Sequence, residues 1–210
     1  MRSDVLVVAT RDRLPRIECR GAIQGRRSFA HTVHLVSSAA TPLGGDTIHI
    51  RLVVEPDAQL RLRSAAATVV LPGRTTDVSQ TYWECVVAGY LDVDLEPTVV
   101  AGNSRHLSAI RVDLSGAGHL RWRERVQIGR CGERQGFWSG SIHADVDGSP
   151  MLRHRVELGA GSLADDVLDA PLACVSELRY PDPAFDAAGT RLELAGGGCL
   201  ATWQGPRLTC

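Results

Sequence analysis

Residues 47–63 read Thr-Ile-His-Ile-Arg-Leu-Val-Val-Glu-Pro-Asp-Ala-Gln-Leu-Arg-Leu-Arg. Ile48, Ile50, Leu52 and Val54 recur at period two with His49 and Arg51 between them, the pattern of a strand with one buried face. Glu55-Pro56-Asp57-Ala58 then reads as a turn, because proline presets φ at its second position. Leu60 and Leu62 resume the alternation against Arg61 and Arg63, which predicts a hairpin. The same pattern recurs along the chain. Ile110, Val112 and Leu114 precede the turn Gly116-Ala117-Gly118, and Leu120, Trp122 and Val126 follow it. Ile142, Ala144 and Val146 lead into Asp147-Gly148-Ser149-Pro150, from which Leu152, His154 and Val156 return. Leu192 and Leu194 stand before Gly196–Gly198, with Leu200 and Trp203 beyond.

Helical periodicity is scarce. Ser162 to Asp169 forms a short candidate helix, with Ser162 as N-cap and Asp165 and Asp166 in its first turn. Pro171 limits its length. Strands every eight to twelve residues with tight turns predict an all-β fold with few short helices: an antiparallel sandwich, a barrel, or a stack of coiled antiparallel and mixed sheets. No linker or low-complexity tract interrupts the 210 residues, so residues 1–210 read as a single domain.

The composition narrows the functional classes. Net charge is −1, which gives no electrostatic case for nucleic acid or an acidic membrane surface. All 23 basic residues are arginines, and Asn103 is the one asparagine, a bias that fits a GC-rich coding genome. The apolar run Val5–Ala9 is shorter than the core of a secretory signal, and no segment approaches the roughly eighteen apolar residues of a membrane span. Six cysteines lie far apart without a CxxC pair, the usage expected of reduced thiols. A cytoplasmic protein is expected.

Local catalytic signatures are absent: no GxxxxGK loop, no HExxH, no GxSxG, and without lysine no SxxK. Gly159-Ala160-Gly161-Ser162-Leu163-Ala164 fits the loose dinucleotide pattern GxGxxA, but Pro171 leaves no room for the long crossover helix that such a site needs. A glycine turn is the simpler reading. The histidines carry more chemistry. His143 and His154 are equidistant from the Asp147–Pro150 turn, so an unbulged hairpin would set them opposite each other with Cβ atoms about 5 Å apart. Asp145 lies on the same face as His143. Two imidazoles and a carboxylate suit a borderline divalent metal such as nickel, bound transiently; a polar surface pair is the plain alternative. His31 and His34 are expected to face opposite sides of a strand, and Cys131 to be an incidental loop thiol.

The order of these segments resembles the UreD/UreH family of urease accessory proteins. Gly44-Gly45-Asp46 before an alternating strand, then Leu60 to Thr68, are similar to the family's glycine–aspartate strand and its alanine–threonine segment. Leu95-Glu96-Pro97-Thr98-Val99-Val100 resembles its proline turn, and Arg111-Val112-Asp113-Leu114 its "R-V-D-L" strand. Leu120-Arg121-Trp122-Arg123-Glu124, with Ile128-Gly129-Arg130 and Gly136-Phe137, looks like its tryptophan–glutamate and glycine–arginine block. Asp147 to Leu152 with Arg155 looks like its last hairpin. The match runs colinearly over about residues 40–205. It departs at Val69, where the family has lysine, and at His154, where it is usually acidic.

The resemblance implies a β fold stacked in a helix-like coil, without catalytic residues or a tightly bound cofactor. It implies a scaffold that joins UreF, the GTPase UreG and the urease apoprotein, and helps load nickel, with an internal passage as the route. Asp46, Glu96, Glu124 and Arg130 fall on the family-like motifs and are the candidates for passage or partner contact. Two other classes stay open: a β-barrel or β-sandwich hydrolase without a local motif, and a plain ligand-binding β module.

Overall fold

A computed structural model describes residues 1–115, 117–163, 170–182 and 184–208. Among them are seventeen strands and no helix. In chain order they are β1 (Arg2–Ala9), β2 (Arg16–Arg20), β3 (Ile23–Phe29), β4 (Thr32–Ser37), β5 (Thr47–Val54), β6 (Gln59–Ser64), β7 (Thr68–Val70), β8 (Val78–Val87) and β9 (Tyr90–Asp94). There follow β10 (Thr98–Val100), β11 (Arg105–Leu114), β12 (His119–Ile128), β13 (Phe137–Val146), β14 (Ser149–Gly159), β15 (Ala173–Tyr180), β16 (Thr190–Glu193) and β17 (Cys199–Gly205). Most of the candidate helix, residues 164–169, lies outside the described residues.

Two sheets form, and the chain alternates between them. The first runs β14-β13-β11-β8-β5-β1-β2, and the second β16-β17-β15-β12-β9-β6-β4-β3, with β10 and β7 joined to β12. β1, β5, β8, β11 and β13 are parallel neighbours in the first sheet, as are β4, β6, β9 and β12 in the second. Each β5–β6, β8–β9 and β11–β12 pair is therefore one coil, and successive coils stack in register. This is the coiled, stacked all-β architecture, with mixed rather than purely antiparallel sheets.

The coil corrects two hairpins. β5 and β6 do not pair across Glu55–Ala58, nor do β11 and β12 pair with each other; the two members of each pair lie in different sheets, and Gly116 lies outside the described residues. Period-two alternation is identical in both arrangements, since both bury one face. The corners stack as the strands do: the Tyr90 amide donates to Ala58 O, and the His119 amide to Gly89 O. Such close stacking needs a residue without a side chain. A Cβ on Gly89 would lie 2.3 Å from Ala58 O and 2.5 Å from Glu55 O. The β13–β14 and β16–β17 hairpins form as expected. Asp147 and Gly148 both take positive φ, 48° and 76°, as a tight two-residue hairpin turn requires.

The core lies between the sheets in transverse rows. Val7, Leu52, Cys85, Val112 and Ala144 stand side by side in one sheet, each at most 1% exposed. Leu60, Leu91 and Leu120 form such a row in the other. Trp83 and Trp122 bridge the two sheets edge to face, with ring centroids 5.1 Å apart.

Candidate functional site

The inward rows of the first sheet turn polar toward the N-terminal ends of its strands. Ser79 and Thr81 of β8 lie beside His106 and Ser108 of β11, all buried. His106 Nδ1 is 2.9 Å from Ser79 Oγ and its Nε2 is 3.3 Å from Thr81 Oγ1. Burial pushes its pKa down to about 4, so the ring stays neutral, donating one of these bonds and accepting the other. Across the sheets, Ser108 donates from Oγ to Glu124 Oε1 at 3.3 Å.

Thr81, His106, Ser108 and Glu124 line an inter-sheet cavity of about 250 Å³, together with Ile48, Ile50, Trp83, Val93, Trp122 and Trp138. Glu124 has no cation partner among the described residues. Burial pushes its pKa up to about 7, and the Ser108 hydrogen bond lowers it only in part. Glu124 is half-buried and borders both this cavity and a second space of about 20 Å³. His154, Ser176, Trp122 and Trp138 line that smaller space, which is large enough for one water-sized particle. Glu124 thus stands between a cavity that opens at Ala65–Ala67 and Glu96 and the smaller space, with carboxylate, imidazole and hydroxyl groups along both.

The expected metal trio is not assembled. A β-bulge between Ala144 and Asp145 shifts the hairpin register, so His143 opposes Arg153 and His154 opposes Ile142. His143 is exposed on the outer face. His154 turns inward at the end of the row Val5, Ile50, Trp83, Ile110 and Ile142, with its Nε2 buried and unpartnered. Asp145 is ion-paired with Arg153. Equidistance from a turn fixes the register only where no bulge intervenes, and the sequence around Asp145 announces none. Among the described residues no group of three or more His, Cys, Asp and Glu side chains is arranged to hold a metal ion.

Of the residues on family-like motifs, Glu124 lines the cavity, and exposed Glu96 lies at its rim while its amide donates to Ser64 Oγ. Exposed Arg130 is tied to Glu133 through its side chain and its amide, and Glu133 also accepts from the Gly102 amide, which fastens this loop to the one at 101–104. Asp46 is buried beside the cavity wall, where its carboxylate accepts from Thr41 Oγ1 at 2.8 Å, the Leu43 amide at 2.9 Å and the Met1 amino group at 2.7 Å. Burial raises its pKa, but these bonds outweigh that and hold it below 3.8. Asp46→Ala is expected to cost about 1–3 kcal/mol by leaving buried donors unpaired. That contribution is complete above pH 3.8 and fades as pH falls through the lower folded-state pKa, so urea unfolding at neutral pH is the check.

His106, Ser79, Thr81 and Ser108 were not singled out by the motifs. Their signal is present nonetheless: each keeps period-two phase with the buried residues that follow it, Trp83 and Cys85 or Ile110 and Val112.

The profile of the UreD urease accessory protein family matches residues 7–201. Urease accessory protein UreD 1 of Saccharopolyspora erythraea is 40% identical over 182 residues, covering 81% of this chain and 70% of the relative. UreD of Frankia alni is 34% identical over 195 residues, covering 83% and 65%. UreD of Streptomyces avermitilis is 28% identical over 200 residues, covering 90% and 79%. The chain thus spans about two thirds of the length of the first two. Motif order, coiled fold and extended identity agree, and the chain belongs to the UreD urease accessory protein family.

Proposed function

We propose that this chain is a urease maturation factor: a cytoplasmic, non-enzymatic scaffold that, with UreF and the GTPase UreG, helps insert nickel into the urease apoprotein. Membership in the family supports the maturation role, and Glu124 supports the metal. A half-buried carboxylate without a cation partner among the described residues, facing a cavity with further oxygen and nitrogen donors, is costly to ionise and gains most from a passing divalent cation. With few ligands in reach it holds such an ion weakly, which suits transit; tight ligands would trap it. Nickel here is cargo. Catalysis is not inferred, because His106 and His34, the rings bonded to Ser79 and Ser28, have no carboxylate bonded to them among the described residues.

The test is co-expression of urease and its other accessory proteins, with and without this chain, under limiting nickel. Urease activity is expected to depend on the chain. Equal activity in both cultures would overturn the reading.

A further inference from the structure

The outward face of the second sheet is strongly cationic for a chain of net charge −1. Strand residues Arg26, Arg61, Arg63, Arg121, Arg123, Arg125, Arg179 and Arg191 point outward on β3, β6, β12, β15 and β16, against Asp92, Asp94, Glu177 and Glu193. Eight arginines against four carboxylates leave the strands of this face at +4. The remaining 15 basic and 20 acidic residues of the chain therefore carry −5.

The face is also pre-ordered. Asp92 is paired with Arg63 and Arg121, while Asp94 is paired with Arg121, Arg123 and Arg125. Glu177 is paired with Arg121, Arg123 and Arg179. The three carboxylates are 9–18% exposed and the five guanidiniums 22–35%, so the acids lie beneath and the cations form the outer layer. Arg61, in register with Asp92, and Arg26 extend this layer and are exposed.

We propose that this face docks an acidic segment of a partner protein. Guanidiniums held in place by buried carboxylates have already lost much of their rotamer freedom, so incoming Asp or Glu side chains meet fixed donor forks at low ordering cost. The positive face on an otherwise negative molecule also orients an acidic partner before contact. A protein is favoured over nucleic acid, because the chain as a whole carries −1 and its remaining surface is negative, which repels an extended phosphate backbone running beyond this face but not a short acidic segment confined to it.

The probe is a fluorescein-labelled glutamate-rich peptide, with binding to the full chain followed by anisotropy at low salt. The peptide is expected to bind, to weaken as salt rises, and to bind Arg26→Glu/Arg61→Glu at least about tenfold more weakly. The control pair Arg13→Glu/Arg74→Glu lies in exposed loops and is expected to change binding by about twofold at most. Should the double reversal fold poorly by circular dichroism, Arg61→Ala takes its place, with an expected loss of about threefold. Failure of the peptide to bind wild type, or equal losses in both pairs, would overturn the proposal. So would tighter binding of a single-stranded oligodeoxynucleotide at the same arginines.

Discussion

Glu124→Gln is expected to be more stable than the wild-type chain at about pH 8 and yet to fail in urease maturation. The unfolded carboxyl titrates near 4.5 and the folded one near 7, so the folded state holds the proton more tightly. The stability contribution is therefore complete below pH 4.5 and is lost as pH rises through 7. Above that, keeping an ionised carboxylate in the wall costs up to about 3 kcal/mol, which water in the cavity reduces. Glutamine cannot ionise and keeps the Ser108 hydroxyl within reach of an amide oxygen. Urea unfolding should show the variant and wild type alike near pH 4 and separated near pH 8. A matching loss of stability at both pH values would mean that Glu124 is an ordinary structural residue. The functional loss, on the order of tenfold or more in urease activation, follows from removing the metal-attracting charge. Gain of stability with loss of function is the pattern of a group retained for its chemistry.

Leu91→Ala should lower stability by about 3–5 kcal/mol, a large share of the 5–15 kcal/mol typical of a folded domain. Leu91 has no exposed surface and lies between Leu60 and Leu120 in the stacked row. In a coil of parallel in-register strands, a void there removes contacts from three successive coils, and neither neighbour can shift without moving its own strand. The measure is the urea midpoint at neutral pH. A loss under about 1 kcal/mol would show that the row is not closely packed.

How far the sequence discloses this molecule depends on the feature. Ile48 to Val54 and Leu60 to Leu62 give their strands and buried faces directly, because burial of one face imposes period two whatever the partner strand. Which strand becomes that partner is a different matter. Glu55–Ala58 has the chemistry of a tight turn and makes one, but it joins two sheets, and local turn chemistry does not distinguish a hairpin from a coil corner. Asp147-Gly148 does make a hairpin, since two adjacent positive φ angles specify it.

The site divides in the same way. Glu124 falls on a family-like motif, and its phase with Trp122 and Val126 places it on the inward face of β12, where the structure has it. The pairing of His143 with His154 rested on an unbulged register, and one bulge sends the two rings to opposite faces. The polar group of Ser79, Thr81, His106 and Ser108 is assembled by parallel stacking of β8 on β11, from segments more than twenty residues apart. No spacing within either segment encodes it.

The most direct measurement is the nickel content of urease purified from cells that supply the other accessory proteins under limiting nickel, with this chain as wild type, as Glu124→Gln, or omitted. The account predicts high nickel occupancy with wild type and low occupancy in the other two cultures, although Glu124→Gln is present as folded protein at wild-type levels. Full nickel occupancy with Glu124→Gln would contradict it.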